Sequence, residues 1–134
     1  MICDLRQRLE LALAKPGHAS SDFDLNADVL LPEGRRLRPA AVLVAFADRP
    51  SGPALLLTKR APTLKHHPGQ IAFPGGKVAA GDADATATAL REAQEEIGLP
   101  VQAVDVIGAL PSHETVTGFQ VTPVLAIVEK PFTL

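Results

Sequence analysis

The spacing of apolar residues changes several times along the chain, and each change marks a predicted element. Leu5, Leu9 and Leu13 recur every four residues among Arg6, Arg8, Glu10 and Lys15, the spacing of one helix face. A helix is predicted over Cys3–Lys15, ended by Pro16-Gly17. From Gly17 to Pro39 the periodicity lapses into Ser20-Ser21, two prolines and Arg35-Arg36, which reads as an irregular connector. The apolar run Pro39–Phe46 predicts a buried strand, Asp48–Pro53 a turn, and Ala54–Lys59 a second strand pairing back onto the first. Between Arg60 and Gly81 the chain is dense in Pro, Gly and His, so a long structured loop is expected, and such loops often carry function on a rigid scaffold. A second helix is predicted from Asp84 to Ile97. Asp84 suits its N-cap, Gly98 suits a left-handed C-cap, and Pro100 prevents continuation. Val101–Leu110 and Phe119–Val128 read as two further strands.

Composition narrows this picture. A chain of 134 residues suits one core. With five Phe and no Trp or Tyr, Leu, Val, Ile and Ala must build that core. The formal net charge of −2 supplies no overall basic field of the kind that attracts nucleic acid, so no nucleic-acid partner is expected. No run approaches the roughly 18 apolar residues of a membrane span, and the N-terminus lacks the form of a signal peptide. The single cysteine, Cys3, has no intramolecular partner and fits a reducing compartment. The expectation is a cytoplasmic protein with no membrane partner.

The second helix carries the chemistry. At about 100° per residue, Glu92, Glu95 and Glu96 fall within an arc of roughly 100°, while Leu90, Ala93 and Ile97 take the opposite, core-facing side. Arg91 lies beside Glu95, where its planar fork can orient a carboxylate. An acidic helix face by itself is usually only solvated. Three carboxylates together are also what a hard divalent cation requires, since Mg²⁺ takes oxygen ligands and shares them with substrate phosphates. Gly75-Gly76, upstream, offers backbone that a metal or phosphate can approach closely. Lys59, Arg60 and Lys65, with His66 and His67, concentrate cationic or protonatable groups before it. Structural zinc normally takes four N or S ligands, and no Cys or third His lies near His66-His67, so hydrogen bonding is the better reading of that pair.

The order of these residues is Gly76, five residues, Asp82, eight residues, then Arg91-Glu92-Ala93-Gln94-Glu95-Glu96-Ile97-Gly98-Leu99. It closely resembles the Nudix box, whose usual form has Glu at the place of Asp82 and one residue fewer before the Arg. The upstream stretch Leu56–Gly76 resembles the additional signature of the coenzyme A diphosphatase branch, as does Thr115–Val124 further on. Lys65 stands where Arg is commoner in that signature. It keeps the charge without the bidentate fork.

The resemblance covers about Pro39–Val128. It implies an α/β fold: a Nudix-type α/β/α sandwich around a mixed sheet, here with an added N-terminal helix. Residues 1–36 would form that helix and its connector, and 37–134 the Nudix domain. The resemblance further implies Mg²⁺ or Mn²⁺ as cofactor and hydrolysis of coenzyme A or acyl-coenzyme A to 3′,5′-ADP and (acyl-)4′-phosphopantetheine. Glu92, Glu95, Glu96 and the Gly76 carbonyl would hold the metal. Arg91, Glu92 and Glu95 would serve catalysis, and Lys59, Arg60, His67, Gly69, Gln70 and Gly75 would meet substrate. Hydrolysis of another nucleoside diphosphate derivative (ADP-ribose, NADH or a nucleoside triphosphate), or a Nudix-fold binding module without turnover, is the alternative.

The general base is either a box glutamate or a later acid. Only Glu114 and Glu129 follow Asp105, and Glu114, in a Pro-Ser-His-Glu loop, is expected to be exposed and inert. Nudix domains generally continue past the position of Leu134 with another strand and a closing helix. The expectation is therefore either a fragment of a longer protein or a domain completed by a partner chain, with an open sheet edge that could pair with a second copy as a homodimer.

Overall fold

The run predicted to begin the domain forms the spine of the sheet. The computed structural model describes residues 2–15, 17–21, 36–59 and 70–128, with side chains from Leu5 onward. Strand β2 (Arg38–Arg49) is longer at both ends than its apolar stretch predicted. Its Ala41, Leu43, Ala45 and Ala47 are buried on one face, while Val42, Val44 and Phe46 on the other are half-buried, as the two-residue period of a strand requires. It pairs in parallel with β9 (Phe119–Val128) through ten residue pairs, from Arg38↔Phe119 to Ala47↔Val128. Parallel neighbours need a long crossover, and the intervening chain with its helix supplies it.

The other strands flank this pair. On the β2 side, β3 (Gly52–Leu55) and β6 (Gly75–Lys77) run antiparallel to it. On the β9 side lie β7 (Val104–Ala109) and β8 (His113–Glu114), also antiparallel. Strand β1 (Ser20–Ser21) adds to β8 in parallel, and β4 (Thr58–Lys59) with β5 (Ile71–Ala72) forms a separate two-stranded ribbon. Among the described residues the result is a mixed seven-stranded sheet with two α-helices, the α/β class expected.

Several boundaries differ from the sequence reading. Ala54–Lys59 is not one strand: Leu56 turns into the core and breaks it between β3 and β4. The Gly/Pro-rich stretch is not all loop, since it contains β5 and β6. Val101–Ala103 forms a 3₁₀ turn, with the Ala103 amide donating to the Pro100 carbonyl at 3.0 Å, so the strand there begins only at Val104. The connector contains β1.

Helix α1 (Ile2–Ala14) docks on β7 by the face predicted for it. Leu5 is buried, Leu9 and Leu13 are half-buried, and Leu11 is exposed. Leu13 packs over Gly108, and Arg6 forms an ion pair with Asp105 of β7. Pro16, the predicted stop, lies outside the described residues.

Helix α2 (Ala85–Ile97) begins and ends as its sequence dictates. The Asp84 carboxylate accepts from the Ala87 amide at 2.8 Å, and Gly98 adopts φ 69°, with its amide donating to Gln94 O at 3.1 Å. Ala89 and Ala93 are fully buried against Ala41, Leu43, Ala45, Val124 and Ala126. Alanines on both sides let helix and sheet approach closely. That proximity brings the acidic face of α2 to the edge of β6.

Candidate active site

Strand β6 lies under α2, and the contact between them is glycine against glutamate. A Cβ placed on Gly76 would sit 2.7 Å from Glu92 Oε1, so only glycine leaves room for that carboxylate beside the backbone. Gly75 faces the other way. A Cβ there would meet the Ala41 carbonyl and come within 2.8 Å of the Val42 Cα. The two adjacent glycines therefore do different work, Gly75 letting β6 lie against β2 and Gly76 seating Glu92.

Arg91 organises the acids around this seat. Its Nε and Nη2 donate to the two oxygens of Asp82 at 3.0 and 3.1 Å, a bidentate pairing. Nη1 reaches Glu92 Oε1 at 3.1 Å and both Glu95 oxygens at 3.3 Å, and Nη2 also reaches the Lys77 carbonyl at 3.3 Å. One guanidinium thus ties the loop, β6 and the carboxylates of Glu92 and Glu95 together.

Asp82 was not among the predicted site residues, yet it anchors Arg91. Its side chain is only 6% exposed. It accepts from the Ala79 amide at 2.8 Å and from the hydroxyl of buried Thr88 at 2.9 Å. The Asp for Glu replacement and the extra residue therefore keep the clamp. Sequence could have found it, because an acid between Gly76 and Arg91 belongs to the pattern and an arginine beside three acids needs a fixed anchor.

Hydrogen bonds from Arg91, then Ala79 and Thr88, hold the Asp82 carboxyl far below the usual carboxylate range, against the opposing effect of desolvation. Arg91 is correspondingly raised, chiefly by Asp82. A depressed folded-state pKa stabilises the fold above the unfolded-state value of about 4 and loses that contribution as pH falls through the folded value. In chemical denaturation, the stability gap between the parent and Asp82→Asn should be constant from neutral pH to about pH 5, then narrow below about pH 4. A gap that stays constant down to pH 2 would show that Asp82 carries no such linkage.

Glu95 and Glu96 are exposed at the C-terminal end of α2, whose last turn has no basic residue. Acids there oppose the helix dipole by about 0.3–1 kcal/mol each, and the Glu92/Glu96 pair adds about 0.2–0.5 kcal/mol of repulsion. A cation bound at this end would relieve both. Among the described residues, no three acids, histidines or cysteines form a ready-made cage, and Glu92 and Glu95 share Arg91 instead. Mg²⁺ does not demand such a cage, because it usually takes one or two carboxylates plus water and substrate phosphates. The oxygen donors and the side-chain-free seat at Gly76 fit such an ion.

The predicted substrate residues are placed as follows. Gly75 lies in β6; Lys59 is the second residue of β4, and Gln70 immediately precedes β5. An open cleft of about 520 Å³ runs between Leu57–Lys59 and Glu96–Gly98, so Lys59 and the acidic end of α2 share its walls. Arg60, Lys65, His66, His67 and Gly69 lie outside the described residues, as does Glu129. Glu114 is not the exposed loop acid expected. It is half-buried in β8, where Ser21 Oγ donates to it at 3.2 Å, while Ser20 Oγ and His113 Nδ1 are 2.7 Å apart alongside.

A second cleft, of about 330 Å³, opens beside Gly75, Gly76 and Lys77 and has Phe73 and Phe119 in its walls. Phe119 was not singled out from sequence, because its place beside Gly76 depends on the parallel pairing of β9 with β2.

On a mixed sheet, a glycine-seated glutamate thus lies under an acidic helix clamped by Arg91. The NUDIX domain profile matches residues 36–132, and the chain belongs to the Nudix family. That family's hydrolases act on phosphoric anhydrides of small molecules and generally use divalent ions such as Mg²⁺ or Mn²⁺.

Among its relatives is an "Uncharacterized Nudix hydrolase NudL" of Cronobacter sakazakii, 63% identical over 91 residues, which are 68% of this chain and 47% of that one. A protein of the same description from Klebsiella pneumoniae is 51% identical, covering 81% of this chain and 62% of its own. The chain thus spans about half to three-fifths of the length of these curated relatives. Among solved structures, the Mycobacterium smegmatis ("M. Smegmatis") Nudix hydrolase RenU superposes with a TM-score of 0.59 at 30% identity, covering 75% of this chain and 65% of that one. The C. elegans Ap4A hydrolase gives a TM-score of 0.57 at 23% identity, covering 71% and 70%, and shares the fold. No helix among the described residues is long and apolar enough to cross a membrane.

Proposed function

We propose that this chain carries the catalytic site of a divalent-metal-dependent diphosphatase acting on coenzyme A or acyl-coenzyme A. The products would be 3′,5′-ADP and 4′-phosphopantetheine or its acyl derivative. The observation that carries the reading is the seating of Glu92 on Gly76 under the Arg91 clamp. The choice of coenzyme A rests on the resemblance of Leu56–Gly76 and Thr115–Val124 to that branch of the family.

Glu92, Glu95, Glu96 and the Gly76 carbonyl would hold Mg²⁺ or Mn²⁺. The bound ion would neutralise phosphate oxygens and ease deprotonation of water. The residues themselves position and move protons. Arg91 fixes the oxygens of Glu92 and Glu95, so neither must reorganise during the reaction. A box carboxylate, Glu92 or Glu95, accepts the proton of the attacking water. Lys59, Arg60, His67, Gly69, Gln70 and Gly75 would bind the substrate.

Incubation with Mg²⁺ or Mn²⁺ and a panel of coenzyme A, acyl-coenzyme A, ADP-ribose, NADH and nucleoside triphosphates tests this directly. Preferential release of 3′,5′-ADP from the coenzyme A compounds is expected. Preferential cleavage of ADP-ribose, NADH or a nucleoside triphosphate would transfer the protein to another substrate class of the family.

A further inference from the structure

Resting on that reading, we propose that the cleft between β6 and β9 is the subsite for the phosphorylated nucleoside half of the substrate, with Phe119 as its stacking surface and Arg38 and Lys77 as its phosphate contacts. The cleft of about 330 Å³ has largely apolar walls, including Ala41, Val42, Phe73 and Val121. Gly75 and Gly76 also line it, so it begins where Glu92 is seated. A ligand whose diphosphate lies at Gly76 can therefore extend into it without leaving the protein surface.

Phe119 gives this cleft a face suited to a nucleobase. It is held at the start of β9 by a tight turn: the Gly118 amide donates to Thr115 O at 3.1 Å, and the Phe119 amide donates to Thr115 Oγ1 at 3.0 Å. Gly118 adopts φ 91°, a conformation that favours glycine. The Arg38 guanidinium carbon lies 4.1 Å from the Phe119 ring centroid, and Lys77 Nζ lies 5.8 Å from it. Both distances are within cation–π range.

Among the described residues neither cation has a carboxylate partner, and Arg38 donates one hydrogen bond, at 3.4 Å, to the Thr117 carbonyl. Two exposed cations at one aromatic ring, beside an apolar cleft, match a base carrying an additional phosphate on its ribose. A base with only its 5′-phosphate would leave that pair of charges unused. An Arg offers both a planar stacking surface and a fork for phosphate, which Lys lacks. Arg38 and Lys77 thus have complementary parts to play.

Calorimetric titration of the whole chain with 3′,5′-ADP and with 5′-AMP, in chelator so that no metal-dependent turnover intrudes, separates this subsite from the reaction. The parent protein should bind 3′,5′-ADP at least about tenfold more tightly than 5′-AMP, as expected for a charge-assisted phosphate contact. Lys77→Gln should erase that preference while leaving 5′-AMP within about twofold, because only the added phosphate uses it. Phe119→Leu should weaken both ligands by about tenfold, the effect of losing a base-stacking surface. Equal affinity of the parent for both ligands, no binding at millimolar concentration, or an undiminished preference in both Arg38→Gln and Lys77→Gln would overturn the subsite. A preserved preference without hydrolysis of coenzyme A would defeat the proposed reaction and leave the subsite standing. Hydrolysis of coenzyme A without any preference would do the opposite.

Discussion

Gly76→Ala should lower hydrolysis by about 10- to 100-fold while leaving the fold intact, whereas Gly75→Ala should cost stability as well. The atoms that an added methyl meets decide the difference. At Gly76 the nearest are the carboxylate oxygens of Glu92, with Oε1 at 2.7 Å, and these sit at the end of a flexible side chain. The methyl group displaces them, and the strand stays where it is. The displaced carboxylate leaves its seat on the backbone and pulls on the Arg91 clamp that it shares with Glu95. The loss should therefore appear in activity and in Mn²⁺ affinity.

At Gly75 the methyl meets the Ala41 carbonyl and the Val42 Cα, which are backbone of the central strand and cannot swing aside. β6 must move off β2, disturbing the Val42↔Gly75 pairing and the bond from the Leu43 amide to the Pro74 carbonyl. Overpacking of this kind costs about 1–3 kcal/mol. Urea denaturation of both variants, set beside their activities, checks the contrast. Equal losses of stability in the two would mean that Gly76 is a turn residue with no special relation to Glu92.

The contrast also shows which parts of the site were legible in the sequence. Helix α2 was readable because its signals are local. Asp84 caps an amide three residues on, Gly98 closes the other end, and the division into acidic and apolar faces needs only the helical period. The β2 and β9 strands were readable from apolar runs. Strand β6 was not, because Gly and Pro normally punctuate loops, and here the absence of side chains is what lets a strand lie under the helix. Asp82 was placed in the motif without a role, since its bond to Arg91 spans nine residues across a turn. The β1–β8 joint brings together residues 93 apart in the chain, and two residues carry no periodicity to announce it. Val101 suggested a strand by its β-branched side chain, but Pro100 before it sets a turn that places Ala103 in the core. For β6, Asp82 and the β1–β8 joint the missing information is a contact between segments apart in the chain, whereas the turn after Pro100 is set locally.

Neutralising the box acids one at a time should give the largest losses of all. Glu92→Gln and Glu96→Gln should each reduce hydrolysis more than about a hundredfold, beyond the range usual for groups that only support a ligand. Both should also weaken Mn²⁺ binding, read by electron paramagnetic resonance, by at least about tenfold, since each removes a charged oxygen donor. Glu92 has the less replaceable position: its side chain is 18% exposed and fixed between Gly76 and Arg91, whereas Glu95 is 58% exposed. Water can more readily take over at Glu95. If Glu95 is the proton acceptor, Glu95→Gln should lower kcat with Mn²⁺ affinity nearly unchanged. Stability gives a second readout that a purely solvated acidic face would not share. Mg²⁺ or Mn²⁺ should stabilise the parent by mass action and the variants much less. Undiminished hydrolysis in both Glu95→Gln and Glu96→Gln would remove these carboxylates from the reaction and leave the acidic helix face as surface alone.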